Sequence, residues 1–250
     1  MAKIVSIHSF RRGVGKSILA ANIAMLASKE GKKVGVVDAD LQLPGLHVLF
    51  GFDEEKMEFR FNDFLKCRCS IEKTVYDLTA RYPDIAGKIY IIPASTQLTE
   101  IAQSLREVYD IHTINQGFSE VINFLGLDLL VLDTSAGITE DTLTFLALSD
   151  ILVVVLQPDE HDFQGTAVIV DIARKLEVPK ILLVTNMVAH TYDLDNVKNE
   201  VERTYECESG AVLPLSEDMA ALANGEIFSR LNPDHPISVS LRQMTERLLA

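Results

Sequence analysis

Three short stretches carry the side chains best suited to chemistry on phosphate groups. The first is "RRGVGKS", residues 11–17, in which Lys16 and Ser17 follow two closely spaced glycines. Glycines let backbone N–H groups turn toward an anion, lysine reaches phosphate oxygens, and a serine hydroxyl can coordinate Mg²⁺. An apolar run precedes this stretch and a helix-like run follows it. The arrangement therefore predicts a phosphate-binding loop at a helix N-terminus.

The other two stretches end apolar runs with carboxylates. Asp38 and Asp40 stand two residues apart in "VVDADLQLPGLH", and Asp133 ends the run "LLVLD". In an extended chain, residues two apart share a face. Carboxylates beside a phosphate-binding loop can hold the water shell of Mg²⁺ and orient an attacking water. The alternative for the Asp38–Asp40 pair is a solvated turn at a strand end.

The elements that must position these residues follow from the hydrophobic pattern. Short, continuously apolar runs alternate with segments of helical periodicity, as in sheets covered by helices on both faces. The predicted strands are 3–8, 33–38, 88–93, 128–133, 151–156, 180–185 and a shorter 211–214; the predicted helices include 17–31, 139–149, 162–178 and 237–250. This alternation predicts an α/β fold, a doubly wound, mostly parallel sheet with helices on both faces.

Details of the helices and of the least regular segment can be predicted as well. In the first helix Ile18, Ile23, Leu26 and Ala27 are expected on one face, with a C-terminal cap at Gly31. The charged, irregular stretch 51–87 is expected to form surface helices. The last helix carries Leu241, Met244 and Leu248 on one face. Packing against the domain is the expected use of that face, and membrane binding is the alternative.

Composition limits the class of protein. The 250 residues, 48% of them apolar, are expected to form one domain over 1–250. A net charge of −13 argues against a generally basic surface that coats nucleic acid. Three cysteines are too few for a disulfide framework and are interpreted as reduced thiols. Neither a signal peptide nor a membrane-length apolar run is visible, so we expect a cytoplasmic protein.

The three stretches together resemble the MinD/ParA family of deviant Walker A ATPases, which carries K-G-G-x-G-K-[ST], then D-x-D, then D-x-P-x-G. The resemblance extends over essentially the whole chain and implies a single P-loop NTPase domain of the SIMIBI type. Further segments with counterparts in the family are "KIYIIPAS", "LVVVLQPDEHDFQGT", "LLVTNM" and "VLPLSED".

The resemblance implies ATP or ADP and Mg²⁺ as ligands, and it assigns roles to particular residues. The nucleotide-binding residues would be Arg12, Gly13, Val14, Gly15, Lys16, Ser17, Ile18, Asn186 and Pro214. The metal ligands would be Ser17, Asp38 and Asp133, and the catalytic residues Asp40, Lys16 and Arg11. From the residues alone, Asn186 at a strand end is equally compatible with a turn former.

Three positions depart from the family pattern. Arg11 occupies the place of the signature lysine, which reaches the phosphates of the partner subunit, and Arg12 occupies the place of a glycine. If the latter position needs a positive φ, an arginine there is strained, and its side chain takes up room needed by the partner. Alternatively, both arginines only solvate the loop or steer anions. Ser135 replaces a proline and could loosen the loop after Asp133.

The function implied by the resemblance is a slowly hydrolysing ATPase that acts as a dimerisation switch and positions or segregates a cellular cargo. It would form a homodimer on binding ATP, meet an unidentified cargo or activating protein, and be recruited from the cytoplasm to a membrane, nucleoid or cell pole. Support in the sequence for membrane or nonspecific DNA contact is thin. The alternative is a nucleotide-binding scaffold or adaptor with impaired dimerisation and little ATPase activity.

Overall fold

A single sheet runs through the protein, and its strand order positions every candidate site residue. The computed structural model describes residues 2–222 and 225–250, and in this part of the chain eight strands pair in the order β3-β4-β2-β5-β1-β6-β7-β8. All pairs are parallel except the edge pair β3–β4. The strands are β1 Lys3–His8, β2 Lys33–Ala39, β3 Tyr76–Asp77, β4 Lys88–Ile92, β5 Leu129–Thr134, β6 Ile151–Leu156, β7 Lys180–Val188 and β8 Glu208–Pro214.

Helices cover both faces of this sheet, which confirms the predicted doubly wound α/β fold. Every residue of β5 and β6 is buried, as continuous apolar runs predict. The α-helices are α1 Lys16–Lys29, α2 Leu46–Leu49, α3 Phe61–Leu65, α4 Leu98–Ser104, α5 Ile111–Leu125, α6 Glu140–Ala147, α7 Glu160–Lys175, α8 Leu194–Tyr205, α9 Glu217–Ala220, α10 Phe228–Leu231 and α11 Pro236–Leu249. The two-residue strand β3 was not predicted, because so short a strand leaves no periodic pattern.

The prediction of surface helices for 51–87 is wrong in its central point. The segment holds α3, β3 and three short 3₁₀ turns, and it contributes to the core. Phe61 and Ile71 are fully buried, and the Phe61 ring lies 6.1 Å from that of Phe118 and 6.2 Å from that of Phe145. The charged residues of this stretch are interleaved with those apolar ones, so their spacing gave no sign of burial.

Helix α1 does not have the single buried face that was predicted, because every residue from Leu19 to Ser28 is buried. Ile23, Leu26 and Ala27 are buried as predicted, but Ile18 in the first turn is 37% exposed. Later turns of α1 lie between the sheet and α11, whereas the first turn borders an open cavity. Gly31 has φ +82° just beyond the helix, which confirms the predicted glycine stop.

The last helix packs against the domain. Leu241, Met244 and Leu248 are at most 1% exposed, and α11 contacts α1 and β8. Its apolar face is therefore covered by the protein itself. Within residues 2–222 and 225–250, no helix is both long enough and apolar enough to cross a membrane.

Candidate functional site

The loop between β1 and α1 is shaped by two glycines. Gly13 has φ +81° and Gly15 has φ +96°, conformations that favour glycine. A Cβ at position 15 would also lie 2.6 Å from Nδ2 of Asn186, so this position excludes a side chain on two grounds. No side chain caps the N-terminus of α1. Backbone N–H groups of its first turn are therefore available to an anion.

A cavity of about 380 Å³ opens beside this loop, within the size range of small-ligand sites. Lys16 is only 7% exposed, and burial lowers the pKa of its ammonium group. Asp133 and Asp40 oppose that shift, and Arg12 adds to it. The cavity is lined by Arg12, Gly13, Gly15, Lys16, Ser17, Ile18, Asp40, Leu43, Gly45, Leu49 and Met187.

Two buried carboxylates stand side by side behind the loop. Strands β2 and β5 pair in parallel with Asp38 opposite Asp133, and both side chains are at most 1% exposed. Oδ2 of Asp38 accepts hydrogen bonds of 3.0 Å from the N–H groups of Gly45 and Leu46. Burial, and then the neighbouring Asp133, raise the pKa of Asp38 well above its ordinary value. Burial also raises the pKa of Asp133 to about 7, against the opposing effect of a hydrogen bond with Ser17.

One oxygen of each carboxylate has no hydrogen-bond partner, which is the feature that fits a cation. These atoms are Oδ1 of Asp38 and Oδ1 of Asp133. Buried, unpartnered carboxylate oxygens are costly unless a cation satisfies them, and oxygen ligands suit Mg²⁺. Among the described residues no group of three His, Cys, Asp or Glu side chains forms a ready metal cage. Mg²⁺ usually keeps several waters and shares its shell with substrate phosphates, so a sparse set of ligands suits it.

Asp40 lies just beyond the end of β2, at the cavity wall, and is 8% exposed. Its Oδ1 accepts hydrogen bonds of 3.0 Å from the Leu43 N–H group and from the Ser135 hydroxyl. Ser135, which was expected to loosen the loop after β5, instead connects that loop to the turn after β2. The carboxylate is thereby held in one orientation by two separate segments.

The two arginines of the loop point to different places. Arg11 is not part of the cavity lining; its Nε lies 2.9 Å from Oδ1 of Asp162 and its Nη2 lies 2.7 Å from Oε1 of Gln157. It also pairs with Asp159, so its guanidinium is held at the start of α7. Arg12 lines the cavity and is not among the residues with positive φ. The condition for backbone strain at position 12 is therefore not met.

A contact between distant parts of the chain, which local sequence patterns did not reveal, holds Phe10 at the start of the loop. The Phe10 ring lies against α7 at Gly165, where a Cβ would overlap the ring. The ring centroid of His161 is 5.5 Å from that of Phe10. The missing side chain of Gly165 leaves a notch in α7 that the Phe10 ring fills. A glycine inside an otherwise regular helix is the sequence signal that could have revealed this notch.

Asn186 and Pro214 border a second, smaller cavity of about 90 Å³ that adjoins the first at Gly15 and Ile18. Nδ2 of Asn186 donates to the Val14 carbonyl at 2.8 Å, and its Oδ1 accepts from the Met187 N–H group at 2.9 Å. Val14 is fully buried, so its backbone rather than its side chain faces this side. The structure thus gathers the predicted nucleotide-binding and metal-binding residues at one edge of the sheet, and directs Arg11 elsewhere.

His8 is a buried neighbour of the site that belongs to none of the three motifs. Its Nδ1 lies 2.7 Å from the Thr134 hydroxyl oxygen, and the ring is fully buried. Burial, and then the positive charge of Lys16, lower the pKa of His8 to about 3. The ring is therefore neutral at physiological pH. Beside it the Gly137 N–H group donates to the Ser9 carbonyl at 2.9 Å, joining the loop after β5 to the loop after β1.

Comparison with known proteins identifies the family to which the chain belongs. Residues 1–249 match the profile of the ParA family, described as "NUBPL iron-transfer P-loop NTPase". The flagellum site-determining protein YlxH of Helicobacter pylori is 31% identical over 256 residues, covering 99% of this chain and 82% of that protein. An uncharacterized ATP-binding protein of Methanocaldococcus jannaschii is 25% identical over 250 residues, covering 100% of this chain and 88% of that protein.

Solved structures share the fold. MinD of Pyrococcus horikoshii complexed with Mg-ADP matches with a TM-score of 0.82 at 18% identity, covering 99% of this chain and 96% of that one. The MinC:MinD complex of Aquifex aeolicus matches with a TM-score of 0.81 at 21% identity, with the same coverage. The sheet and the glycine loop ahead of a buried lysine define a P-loop NTPase. Within that class, the chain belongs to the ParA family, and the predicted resemblance is confirmed.

The raised pKa of Asp38 predicts how its removal affects stability. Above its ordinary pKa of 3.8 the folded protein binds more protons at Asp38 than the unfolded chain, so this group makes the free energy of unfolding fall as pH rises. Asp38→Asn keeps an acceptor for Gly45 and Leu46 and removes the charge. Without Mg²⁺ or nucleotide, we expect it to stabilise the protein at pH 8 by on the order of 1 kcal/mol or more, and little at pH 4. Thermal unfolding by circular dichroism measures both values; a destabilised variant at pH 8 would contradict the burial argument.

The contact of Phe10 with Gly165 predicts that Gly165→Ala changes the free energy of unfolding in opposite directions in the wild-type and Phe10→Ala backgrounds. Gly165→Ala forces the Phe10 ring out of place, and we expect it to destabilise the protein by about 1–3 kcal/mol. In a Phe10→Ala background the overlap is gone, and the same substitution should stabilise α7 by up to about 1 kcal/mol through helix propensity. Urea unfolding of the four proteins gives the coupling energy. Equal effects of Gly165→Ala in both backgrounds would show that the notch does not hold Phe10.

Proposed function

We propose that this protein is a Mg²⁺-dependent ATPase whose ATP-bound state dimerises and positions a cellular cargo. The observation that carries the proposal is the meeting of opposite charges at one cavity. The N-terminus of α1, which no side chain caps, and Lys16 border the cavity, and behind the loop the buried Asp38 and Asp133 each have one oxygen without a hydrogen-bond partner. A triphosphate with Mg²⁺ satisfies both sets of groups at once.

The proposed roles follow from these positions. Backbone N–H groups of the loop and the Lys16 ammonium bind phosphate oxygens, while Ser17, Asp38 and Asp133 hold Mg²⁺. Held by these residues, Mg²⁺ would neutralise negative charge on the phosphates. Asp40, oriented by Leu43 and Ser135, is the residue proposed to position the attacking water.

The second cavity is the proposed binding site for the adenine base of the nucleotide. It adjoins the first at Gly15 and Ile18, so a nucleotide can extend from one cavity into the other. Asn186 and Pro214 stand on its walls, as the family resemblance implies. Ile18 lies between the two cavities, which explains why this apolar side chain is exposed in the structure.

Dimerisation and cargo positioning have separate support. Large apolar side chains are exposed after the carboxyl ends of five strands, on the edge of the sheet that bears the site. Four lie in loops, Leu43, Ile138, Tyr192 and Leu215, and Leu98 is the first residue of α4. A second copy that covered this edge would bury them.

Relatives named for determining the site of the flagellum or of the septum, and a neighbour solved as MinC:MinD, support a cargo or activating protein as partner. Cytoplasmic residence with recruitment to a membrane, nucleoid or pole is proposed on the same analogy.

Two alternatives have some basis. Iron–sulfur cluster carrier proteins are among the relatives, but within the described residues no cysteine cluster accompanies the free thiols of Cys67, Cys69 and Cys207. The other alternative is a nucleotide-binding scaffold with little activity. The pairing of Arg11 with Asp159 and Asp162 in its own chain favours it, because a residue so held does not reach a partner.

Asp40→Ala separates the ATPase from the scaffold. We expect the wild type to hydrolyse ATP only with Mg²⁺, and Asp40→Ala to lower turnover at least about tenfold by removing the water-orienting carboxylate. Phosphate release measures the rates, and Asp195→Ala, which removes an exposed carboxylate of α8, is the control. Equal rates near background for wild type and Asp40→Ala would contradict the proposed ATPase activity.

Sedimentation with a nonhydrolysable ATP analogue tests dimerisation, and a protein that stays monomeric would favour the scaffold.

A further inference from the structure

Arg11 has a structural partner that it cannot leave without cost. Asp162 is 1% exposed, its Oδ1 lies 2.9 Å from Nε of Arg11, and its Oδ2 accepts a hydrogen bond of 2.8 Å from the Gln157 N–H group. Removing the cation from a buried pair leaves an uncompensated charge, which is strongly unfavourable. Arg11 also contacts Asp159, the residue that caps α7. Its charge is therefore committed to the start of α7.

Arg12 is placed in the opposite way. Its side chain is exposed, lines the nucleotide cavity and makes a hydrogen bond of 2.5 Å from Nη2 to Oε1 of Gln42. Gln42 belongs to the turn that holds Asp40, since its N–H group lies 3.2 Å from Oδ1 of Asp40. Arg12 thus extends from the phosphate-binding loop to the turn that carries the proposed catalytic carboxylate. Lys16 lines the same cavity, and Arg12 makes a small contribution to lowering the pKa of its ammonium group.

We propose that Arg12 of the same chain, rather than Arg11 of a partner chain, is the second cation that binds the terminal phosphate of ATP. The inference rests on the proposed function. Binding phosphate costs Arg12 only a hydrogen bond to a neutral amide, whereas Arg11 would have to leave a buried carboxylate. A guanidinium that exchanges an amide oxygen for phosphate oxygens gains a charge-assisted, bidentate contact.

This assignment changes what one subunit can do alone. The terminal phosphate is the group that distinguishes ATP from ADP, and a cation in the same chain recognises it without a second copy. A single subunit would then discriminate ATP from ADP, and its turnover per subunit would not depend on protein concentration. Arg12, in place of the family's glycine, would then add a phosphate contact. Its backbone is not strained by the side chain, because position 12 does not need a positive φ.

Calorimetric titration with Mg²⁺ and either ADP or a nonhydrolysable ATP analogue tests the inference. Arg12→Ala should weaken binding of the analogue at least about tenfold, the effect of a charged hydrogen bond, and binding of ADP less than about threefold. Arg12→Lys should lie between, because it keeps the charge and loses the planar fork. Arg203→Ala, which removes an exposed arginine of α8, should change neither affinity. Unchanged thermal unfolding of Arg12→Ala establishes that the variant is folded.

The outcomes separate this inference from the proposed function. If the wild type binds and hydrolyses ATP but Arg12→Ala weakens the analogue and ADP equally, or neither, the inference alone is overturned. Turnover per subunit that rises with protein concentration, and is unaffected by Arg12→Ala, also overturns it and assigns the second cation to a partner chain. If the wild type binds neither nucleotide, the proposed function falls and the inference with it.

Discussion

The burial of two neighbouring carboxylates is the constraint on which the rest of the site depends. Parallel pairing of β2 with β5 sets Asp38 beside Asp133 at the carboxyl edge of the sheet, away from solvent. Burial raises the pKa of both groups, and one oxygen of each has no hydrogen-bond partner. Such an arrangement destabilises the unliganded protein and is relieved by a cation. Lys16 and the N-terminus of α1 lie close by, so the proposed Mg²⁺ and a phosphate group would complete the site together.

The loops around this site are connected to one another by hydrogen bonds and by packing contacts. Ser135 donates to Asp40, the Gly137 N–H group donates to the Ser9 carbonyl, and Phe10 lies in the notch at Gly165. A ligand that moves the loop after β1 therefore acts on the loops after β2 and β5 and on the start of α7. These contacts give a physical route by which an occupied cavity can alter the exposed edge of the sheet, where a partner would meet the protein.

Much of this could be predicted from local patterns, and the rest depends on contacts between distant parts of the chain. Continuous apolar runs predicted the parallel sheet, and glycines before Lys16 predicted the loop, because each signal lies within a few residues. The burial of Phe61 and the direction of Arg11 could not be predicted in this way. Arg11 is set by residues 146 and more positions away, and Phe61 by rings on α5 and α6. The candidate residues other than Arg11 lie together at one edge of the sheet, while their roles in binding and catalysis stay predictions.

Proton release on binding is the decisive test of the proposal that the buried carboxylates hold Mg²⁺ together with ATP. Asp133, with a pKa of about 7, must lose its proton to hold the ion. Calorimetry of Mg²⁺ and nonhydrolysable ATP analogue binding at pH 6.5, in two buffers of different ionisation enthalpy, measures that proton. We expect protons to be released on binding, and fewer of them in Asp133→Asn, since Asp38, whose pKa is also raised, still loses its proton to the ion. Tight binding of the analogue without Mg²⁺, or with no proton released, would contradict the proposal.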